Sequence, residues 1–353
     1  MTDINSINIS RLESLISGAS RAVIVTHMKP DGDAMGSSLA MYHFLRMAGK
    51  SPRVALCNRF PAYLNFLTEG IPAEDILVHD EQPHETDSAI LTADLIICLD
   101  FNAFHRTDKL EGSLSAAQGE KVLIDHHLNP DRENFSLSFS ETEISSASEL
   151  LYHILMETSD IMKDAGRLPR KAAQALMTGM TTDTNNFANS VYPSTFHMAS
   201  DLLAAGTDRD EILMHLYNGF SENRLRILGH MMKDLLTVTD DGVAYIVLDS
   251  RTQKEYGIEE GDTEGFVNMP LSIAKVRMSI LLKEDGERAR VSIRSKKGTS
   301  ANTCARLHFN GGGHENAAGG RLSIPHDIGS IADAAEYIER HTHEYFTHNE
   351  KSC

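Results

Sequence analysis

The sequence predicts an α/β fold, a doubly wound parallel sheet joined by a helical linker to a smaller α/β domain at the C-terminal end. Three observations point to it. Short apolar runs at 22–26, 53–57, 94–99 and 121–124 alternate with helical or loop segments, the pattern of buried parallel strands joined by crossovers. The runs at 22–26 and 121–124 lead straight into clusters of Asp and His, as expected where open α/β sheets gather ligands at the carboxyl ends of strands. At 353 residues the chain exceeds what one core usually supports, so two domains are expected.

Taken in order, run 22–26 is followed by a Pro/Gly loop and then by 34–48. There Leu39, Met41, Phe44, Leu45 and Met47 recur near helical spacing until Gly49 ends the pattern. Ser145 and Ser146 can cap a helix running through Leu150, Leu151, Ile154 and Leu155, and Pro169 can open another at its first turn. From 194 to 236 the pattern is almost wholly helical and strongly charged, with pieces at 201–206, 208–218 and 222–236. Beyond it, 237–248, 275–282 and 288–293 read as strands, and 302–309 and 328–343 as helices. The expected organisation is a larger domain over 1–190, a helical linker over 191–236 and a smaller domain over 237–353. Hinge closure across the linker belongs to this expectation.

Composition narrows the function. The chain lacks Trp and has only 6% aromatic residues, which leaves few stacking platforms for a long single strand. A formal charge of −17 opposes non-specific binding to nucleic acid, whose affinity comes largely from Lys and Arg on phosphates. Short anionic substrates remain open, because divalent ions can create a focused positive site on an acidic protein. Cys57, Cys98, Cys304 and Cys353 show no CxxC spacing, so free thiols in a reducing compartment are expected rather than a zinc ribbon or a disulfide framework. The polar start Met1-Thr2-Asp3-Ile4-Asn5 has no signal-peptide pattern, and no apolar stretch reaches the ~20 residues of a spanning helix. The expectation is a soluble cytoplasmic protein without membrane contact.

The polar residues at the strand ends fall in three fields: His27, Asp31 and Asp33; then Asp100; then Asp125-His126-His127. Carboxylates gathered so closely repel one another unless a cation sits among them. A set of Asp and His without Cys suits hard ions such as Mn²⁺ or Mg²⁺ better than a structural zinc. Asp31 and Asp33 are spaced to reach different ions, Gly32 allows a tight turn between them, and Asp100 is placed to bridge. Asp125 suits the task of orienting an imidazole. Each field alone has a plainer reading as a polar turn, a helix cap or a satisfied histidine pair. Together, so many ionisable groups would be costly to bury without a cation. Two ions about 3.5–4 Å apart activate a shared water and clamp phosphoryl oxygens, so the pattern points to metal-dependent phosphate chemistry. Arg106, six residues past Asp100, is either a surface arginine or a cation that stabilises transition-state charge.

These motifs resemble the DHH phosphoesterase family, and within it the standalone enzymes that degrade nanoRNA and dephosphorylate 3′-phosphoadenosine 5′-phosphate (pAp). Asp125-His126-His127 carries the family signature. Thr178-Gly179-Met180-Thr181-Thr182-Asp183-Thr184 resembles the family's fourth motif; without that resemblance Asp183 is an acid near a helix end. The resemblance implies one Mn²⁺ held by His27, Asp31 and Asp100, and another by Asp33, Asp100, His126 and Asp183, with Mg²⁺ or Co²⁺ as substitutes. It also implies His127 on the scissile phosphate. Spacing alone does not tell the adjacent imidazoles of His126 and His127 apart as ligand and acid.

In 288–294 polar and apolar residues alternate, so Arg288, Arg290, Ser292 and Arg294 share one strand face. That face is either solvated or a phosphate clamp built on the planar guanidinium fork. Downstream, 309–320 joins Gly311, Gly312, Gly313 and His314 to small residues, which reads as a glycine loop before a strand or as a phosphate cradle. The stretch resembles the GGGHxxAAG motif of the DHH-associated C-terminal domain. That resemblance implies substrate binding by Arg294, Ser295, Gly311, Gly312, Gly313 and His314, and it disfavours pyrophosphate as substrate. The expected activity is release of mononucleotides from very short RNA and hydrolysis of pAp to AMP and phosphate. Cleavage of linear pApA, a pyrophosphatase and a non-catalytic nucleotide sensor are the alternatives, and a homodimer is compatible with all of them.

Overall fold

Apolar runs too short for helices and bounded by turns become strands here. The computed structural model describes residues 3–219, 221–259 and 261–349, and the chain divides into two units, Met1–Gly219 and Phe220–Cys353. Cys353, Met1 and Thr2 lie outside the described residues, whereas Cys57, Cys98 and Cys304 are buried free thiols.

The first unit runs α1 (Ser6–Gly18), β1 (Ala22–Thr26), α2 (Gly32–Met47), β2 (Arg53–Leu56), β3 (Ile76–Val78), α3 (Pro83–Thr92), β4 (Leu95–Leu99), α4 (Glu111–Ala116), β5 (Glu120–Asp125), β6 (Leu137–Ser140), α5 (Ala147–Met156), α6 (Arg170–Asp183), α7 (Pro193–Ala204) and α8 (Arg209–Tyr217). Its six strands are all parallel, in the order β3-β2-β1-β4-β5-β6. The order therefore reverses between β1 and β4, which opens a crevice at their carboxyl ends.

Both faces of this sheet are covered. Ala22, Ile24, Leu95, Ile97, Leu99, Val122 and Ile124 pack with α1, α2 and α5 to α8. The alternate residues Val23, Val25, Ile96, Cys98 and Leu123 pack with α3 and α4. This two-sided burial is why the four central strands read as unbroken apolar runs. The edge strands β3 and β6 escaped that reading: one is three residues long, and the other alternates buried with half-buried positions.

Helix starts follow capping chemistry. Asp31 caps α2 by accepting from the amides of Asp33 and Ala34, so α2 begins two residues before the predicted 34. Ser146 caps α5 through the amide of Glu149, and α6 starts directly after Pro169.

The span 191–236, expected as a linker, carries the helices α7, α8 and α9, which are divided between the units. Met198, Leu202, Ile212 and Leu216 of α7 and α8 join the core of the first unit. Ile227 of α9 (Glu222–His230) and Met231 in the turn after it pack in the second.

That second unit continues with β7 (Thr237–Val238), β8 (Val243–Leu248), α10 (Ser250–Glu255), β9 (Met278–Asp285), β10 (Arg288–Ser295), α11 (Ala301–His308), β11 (Gly312–Gly313), β12 (Ala317–Ser323) and α12 (Ala334–Asn349). The mixed sheet has the order β11-β12-β10-β9-β8-β7, with β8 and β9 parallel and the other pairs antiparallel. The predicted strand 237–248 is a hairpin, turned where Gly242 takes a φ of 77°. Val243, Tyr245, Met278, Ile280, Leu282, Ala289, Val291 and Ile293 pack beneath α11 and α12. No helix among the described residues is long and apolar enough to cross a membrane.

Candidate metal centre

The register of the central strands sets the site. Thr26 pairs with Leu99, and Leu99 with Ile124, so the residues that follow, His27, Asp100 and Asp125, stand in one row at the carboxyl edge of the sheet, Asp125 still paired with Ser140 of β6. The buried Thr26 hydroxyl fastens β1 to β4 by donating to the Leu99 carbonyl at 2.9 Å. Asp100 then takes a left-handed backbone, φ 62°, which Asp tolerates better than most residues, and its amide donates to the Ile124 carbonyl. The residue is 3% exposed.

Around Asp100 the acids and imidazoles converge. His27 donates through Nδ1 to the Met28 carbonyl at 2.8 Å, which turns Nε2 toward Asp100 Oδ2 at 3.4 Å and Asp31 Oδ1 at 3.8 Å. His126 Nε2 lies 3.5 Å from Asp100 Oδ1 and 3.6 Å from Asp183 Oδ2, Asp183 being the last residue of α6. Asp33 is held by the start of α5: the amides of Ala147 and Ser148 donate to its two oxygens at 2.6 and 2.9 Å. Donor atoms of His27, Asp31 and Asp100 form one group within 4.8 Å of one another, and those of Asp33, His126 and Asp183 form another. Asp100, His126 and His127 satisfy the same criterion.

His127 differs from its neighbour in ring direction. Its Nδ1 meets Asp125 Oδ1 at 2.7 Å and its amide donates to Asp125 Oδ2 at 3.1 Å, so a fully buried carboxylate fixes the imidazole. The two imidazoles thus differ in which ring nitrogen faces which carboxylate, a difference that sequence spacing does not encode.

The electrostatics are those of a cation site. Asp100 Oδ1 is buried without a hydrogen-bond partner, a costly state for a carboxylate oxygen unless an ion takes it up. Burial, and then the charges of Asp100 and Asp183, push the Asp33 carboxyl well above its usual range. Burial also works against the Asp100 carboxylate, but His126 and His27 outweigh it and hold Asp100 well below the usual range. Burial is likewise outweighed at the imidazoles, where Asp100 raises His27 to about 9 and, with Asp183 beside it, His126 to about 10. Without an ion these histidines hold protons where metal ligands would have to release them. The chemistry of this donor set therefore fits divalent cations.

Gly32, expected to allow a tight turn, owes its place to close packing as well. It opens α2, and a Cβ there would collide with the Thr182 side chain on α6. Arg106 stands beside the His27 loop, its carbonyl accepting from the Met28 amide at 2.8 Å and its side chain half-buried. Two contributors escaped the sequence reading. The Ser145-Ser146 signal marked where α5 starts but not that its free amides hold Asp33. Gly179 looked like a motif residue only, yet a Cβ on it would sit 2.8 Å from Asp33 Oδ1.

In the second unit Arg294 is half-buried, and its guanidinium donates to the carbonyls of Ile293 and Ala318. Ser295, on the opposite face of β10, is 7% exposed; its hydroxyl donates to the Thr299 carbonyl and accepts from Asn316. The glycines pack closely. A Cβ on Gly311 would strike the Gly319 carbonyl, and Gly313, with φ 150°, donates its amide to Asn302 Oδ1 at 3.1 Å. His314 is exposed.

Comparison with known proteins gives the chain its relatives. The chain is 25% identical over 304 residues to the bifunctional oligoribonuclease and PAP phosphatase NrnA of Bacillus subtilis, covering 85% of this chain and 88% of the other. It is 27% identical over 306 residues to the protein of that name from Thermus thermophilus, covering 85% and 83%. A crystal structure of an exopolyphosphatase-related protein from Bacteroides fragilis matches with a TM-score of 0.89 at 37% identity, covering 98% of each chain. The DHH family N-terminal domain matches residues 21–180, which hold every acid and imidazole of the centre except Asp183, and the DHHA1 domain matches residues 240–340. With both domains present in that order, the chain belongs to the DHH family.

Proposed function

We propose that this DHH-family phosphoesterase uses two Mn²⁺ ions to release mononucleotides from RNA of a few residues and to hydrolyse pAp to AMP and phosphate. The observation that carries the reading is the meeting of two donor groups, His27/Asp31/Asp100 and Asp33/His126/Asp183, at the crevice where the strand order reverses. Bound there, the ions would activate a water for in-line attack on phosphorus and neutralise the phosphoryl oxygens. Mg²⁺ or Co²⁺ would serve in the same ligands. Support for the substrates comes from the relatives named as oligoribonucleases and PAP phosphatases and from the glycine loop at 311–319.

The chain's own residues take the remaining tasks. Asp125 engages Nδ1 of His127 and so directs Nε2 to the leaving oxygen, to which it gives a proton. Arg106 adds positive charge beside the His27 loop. In the second unit Arg294, Gly311, Gly312 and His314 contact substrate phosphate or sugar. The Ser295 hydroxyl and the Gly313 amide already have partners inside the unit, and their part is to hold that surface in shape.

Purified protein with Mn²⁺ should be incubated separately with RNA dinucleotides and trinucleotides, pAp, pApA, pyrophosphate and polyphosphate, and the products chromatographed over time. Mononucleotides from RNA and AMP from pAp are expected. Turnover confined to pyrophosphate or polyphosphate, or tight binding of pAp with no product, would overturn the proposal.

A further inference from the structure

Outside the centre, the described residues contain one more group of metal-seeking side chains: His308, the last residue of α11, with His341 and Glu344 on α12. The Nδ1 atoms of His308 and His341 face each other at 3.2 Å, and His341 Nδ1 lies 3.3 Å from Glu344 Oε2. All three donor atoms fall within 4.8 Å of one another. Two ring nitrogens this close can share one proton or one cation, but cannot each carry a proton toward the other. With zinc bonds of about 2.0–2.1 Å, the edge of a coordination tetrahedron is about 3.3–3.4 Å. The two observed separations thus have nearly the length a bound ion requires.

The surroundings favour occupancy. Tyr337 packs against one ring and ties down the backbone that carries the other: its centroid lies 4.1 Å from that of His341, and its hydroxyl donates to the His308 main-chain carbonyl at 2.8 Å. His341 and Glu344 are three residues apart, so they share a face of α12. Their side chains are 20% and 47% exposed, which leaves a route for an ion and for a water as fourth ligand. His308 ends α11, where the free carbonyls of a helix attract positive charge. The cation in competition is Arg340, whose Nη2 lies 3.3 Å from His341 Nε2; its side chain is exposed and can turn into solvent.

We propose that His308, His341 and Glu344 bind a divalent ion of the zinc class that ties α11 to α12. Two imidazoles and one carboxylate suit zinc better than Mn²⁺ or Mg²⁺, in contrast to the carboxylate-rich centre of the first unit. The ion would steady the helix from which the glycine loop hangs, since Asn302 of α11 accepts the Gly313 amide. Its function is structural, separate from the phosphoesterase reaction.

The test is to load metal-free protein with zinc, dialyse it, and measure zinc per chain by elemental analysis. Wild type is compared with His341→Gln and Glu344→Gln, and with Asp33→Asn in the centre, each checked for folding by circular dichroism. Both second-unit variants should hold about one zinc equivalent fewer than wild type, while Asp33→Asn keeps that equivalent. Their melting temperature should also respond less to zinc than that of wild type. Equal zinc content in wild type and both folded second-unit variants would overturn the proposal. A wild type holding about one equivalent, lost in His341→Gln and kept in Asp33→Asn, would uphold this site, whatever the manganese assay of the centre returns.

Discussion

Asp100 belongs to the His27/Asp31 donor group and also reaches His126 of the other, its two oxygens lying 3.4 Å from His27 and 3.5 Å from His126. Asp100→Asn should therefore lower kcat by about a hundredfold or more while leaving the circular dichroism spectrum unchanged, because the lost group acts on charge and not on packing. Asp125→Asn should act more mildly, costing about 10- to 100-fold, since the ring of His127 keeps a partner but loses its carboxylate. Steady-state rates on pAp would separate the two. At this scale the acids and imidazoles were legible as a set, because strand-end Asp and His stand out against apolar runs. Their partners were not. What distinguishes His126 from His127 is which nitrogen meets which oxygen, a consequence of ring rotation that spacing does not encode.

Among the elements, the start of α5 and the contact between α2 and α6 do most to shape the centre. Ala147 and Ser148 present their amides to Asp33, and Gly179 lets Asp33 lie against α6. Gly179→Ala should destabilise the fold by about 1–3 kcal/mol, as overpacking does, and should also weaken metal binding by displacing Asp33. Calorimetric titration with Mn²⁺, beside thermal unfolding, would show both effects; a stability loss with unchanged affinity would detach Gly179 from the centre. Ser146→Ala should cost about 1 kcal/mol through loss of the cap. Strands with both faces buried were legible from their hydrophobic runs. β12 was not, because Gly319 and Gly320 lie in its middle, and glycine in a strand interior reads as loop even where close backbone packing requires it.

For the whole molecule, removing metal should make stability depend on pH with a definite sign. In the ion-free protein His27 and His126 are raised from 6.5 to about 9 and about 10. Their contribution is complete below about 6.5 and is lost as pH rises through those values. Chelated protein should thus melt at progressively lower temperature from pH 6.5 to 10. Divalent ion should bind more tightly over the same interval, because it displaces those protons. A melting temperature that stays flat across this interval would contradict the assignment. The presence of two units was legible from length and pattern, but their boundary was not. The apolar faces of α7 and α8 announce helices, yet periodicity does not say which core they will join.

Because the first sheet is apolar on both sides, hydrophobic burial alone would tolerate β4 shifted by one residue, and such a shift would put Leu99 or Phe101 where Asp100 stands. Correct alignment must then be enforced by local polar ties, the Thr26 hydroxyl on the Leu99 carbonyl among them. A chain could in principle be well folded by every measure of compactness and still be chemically mute.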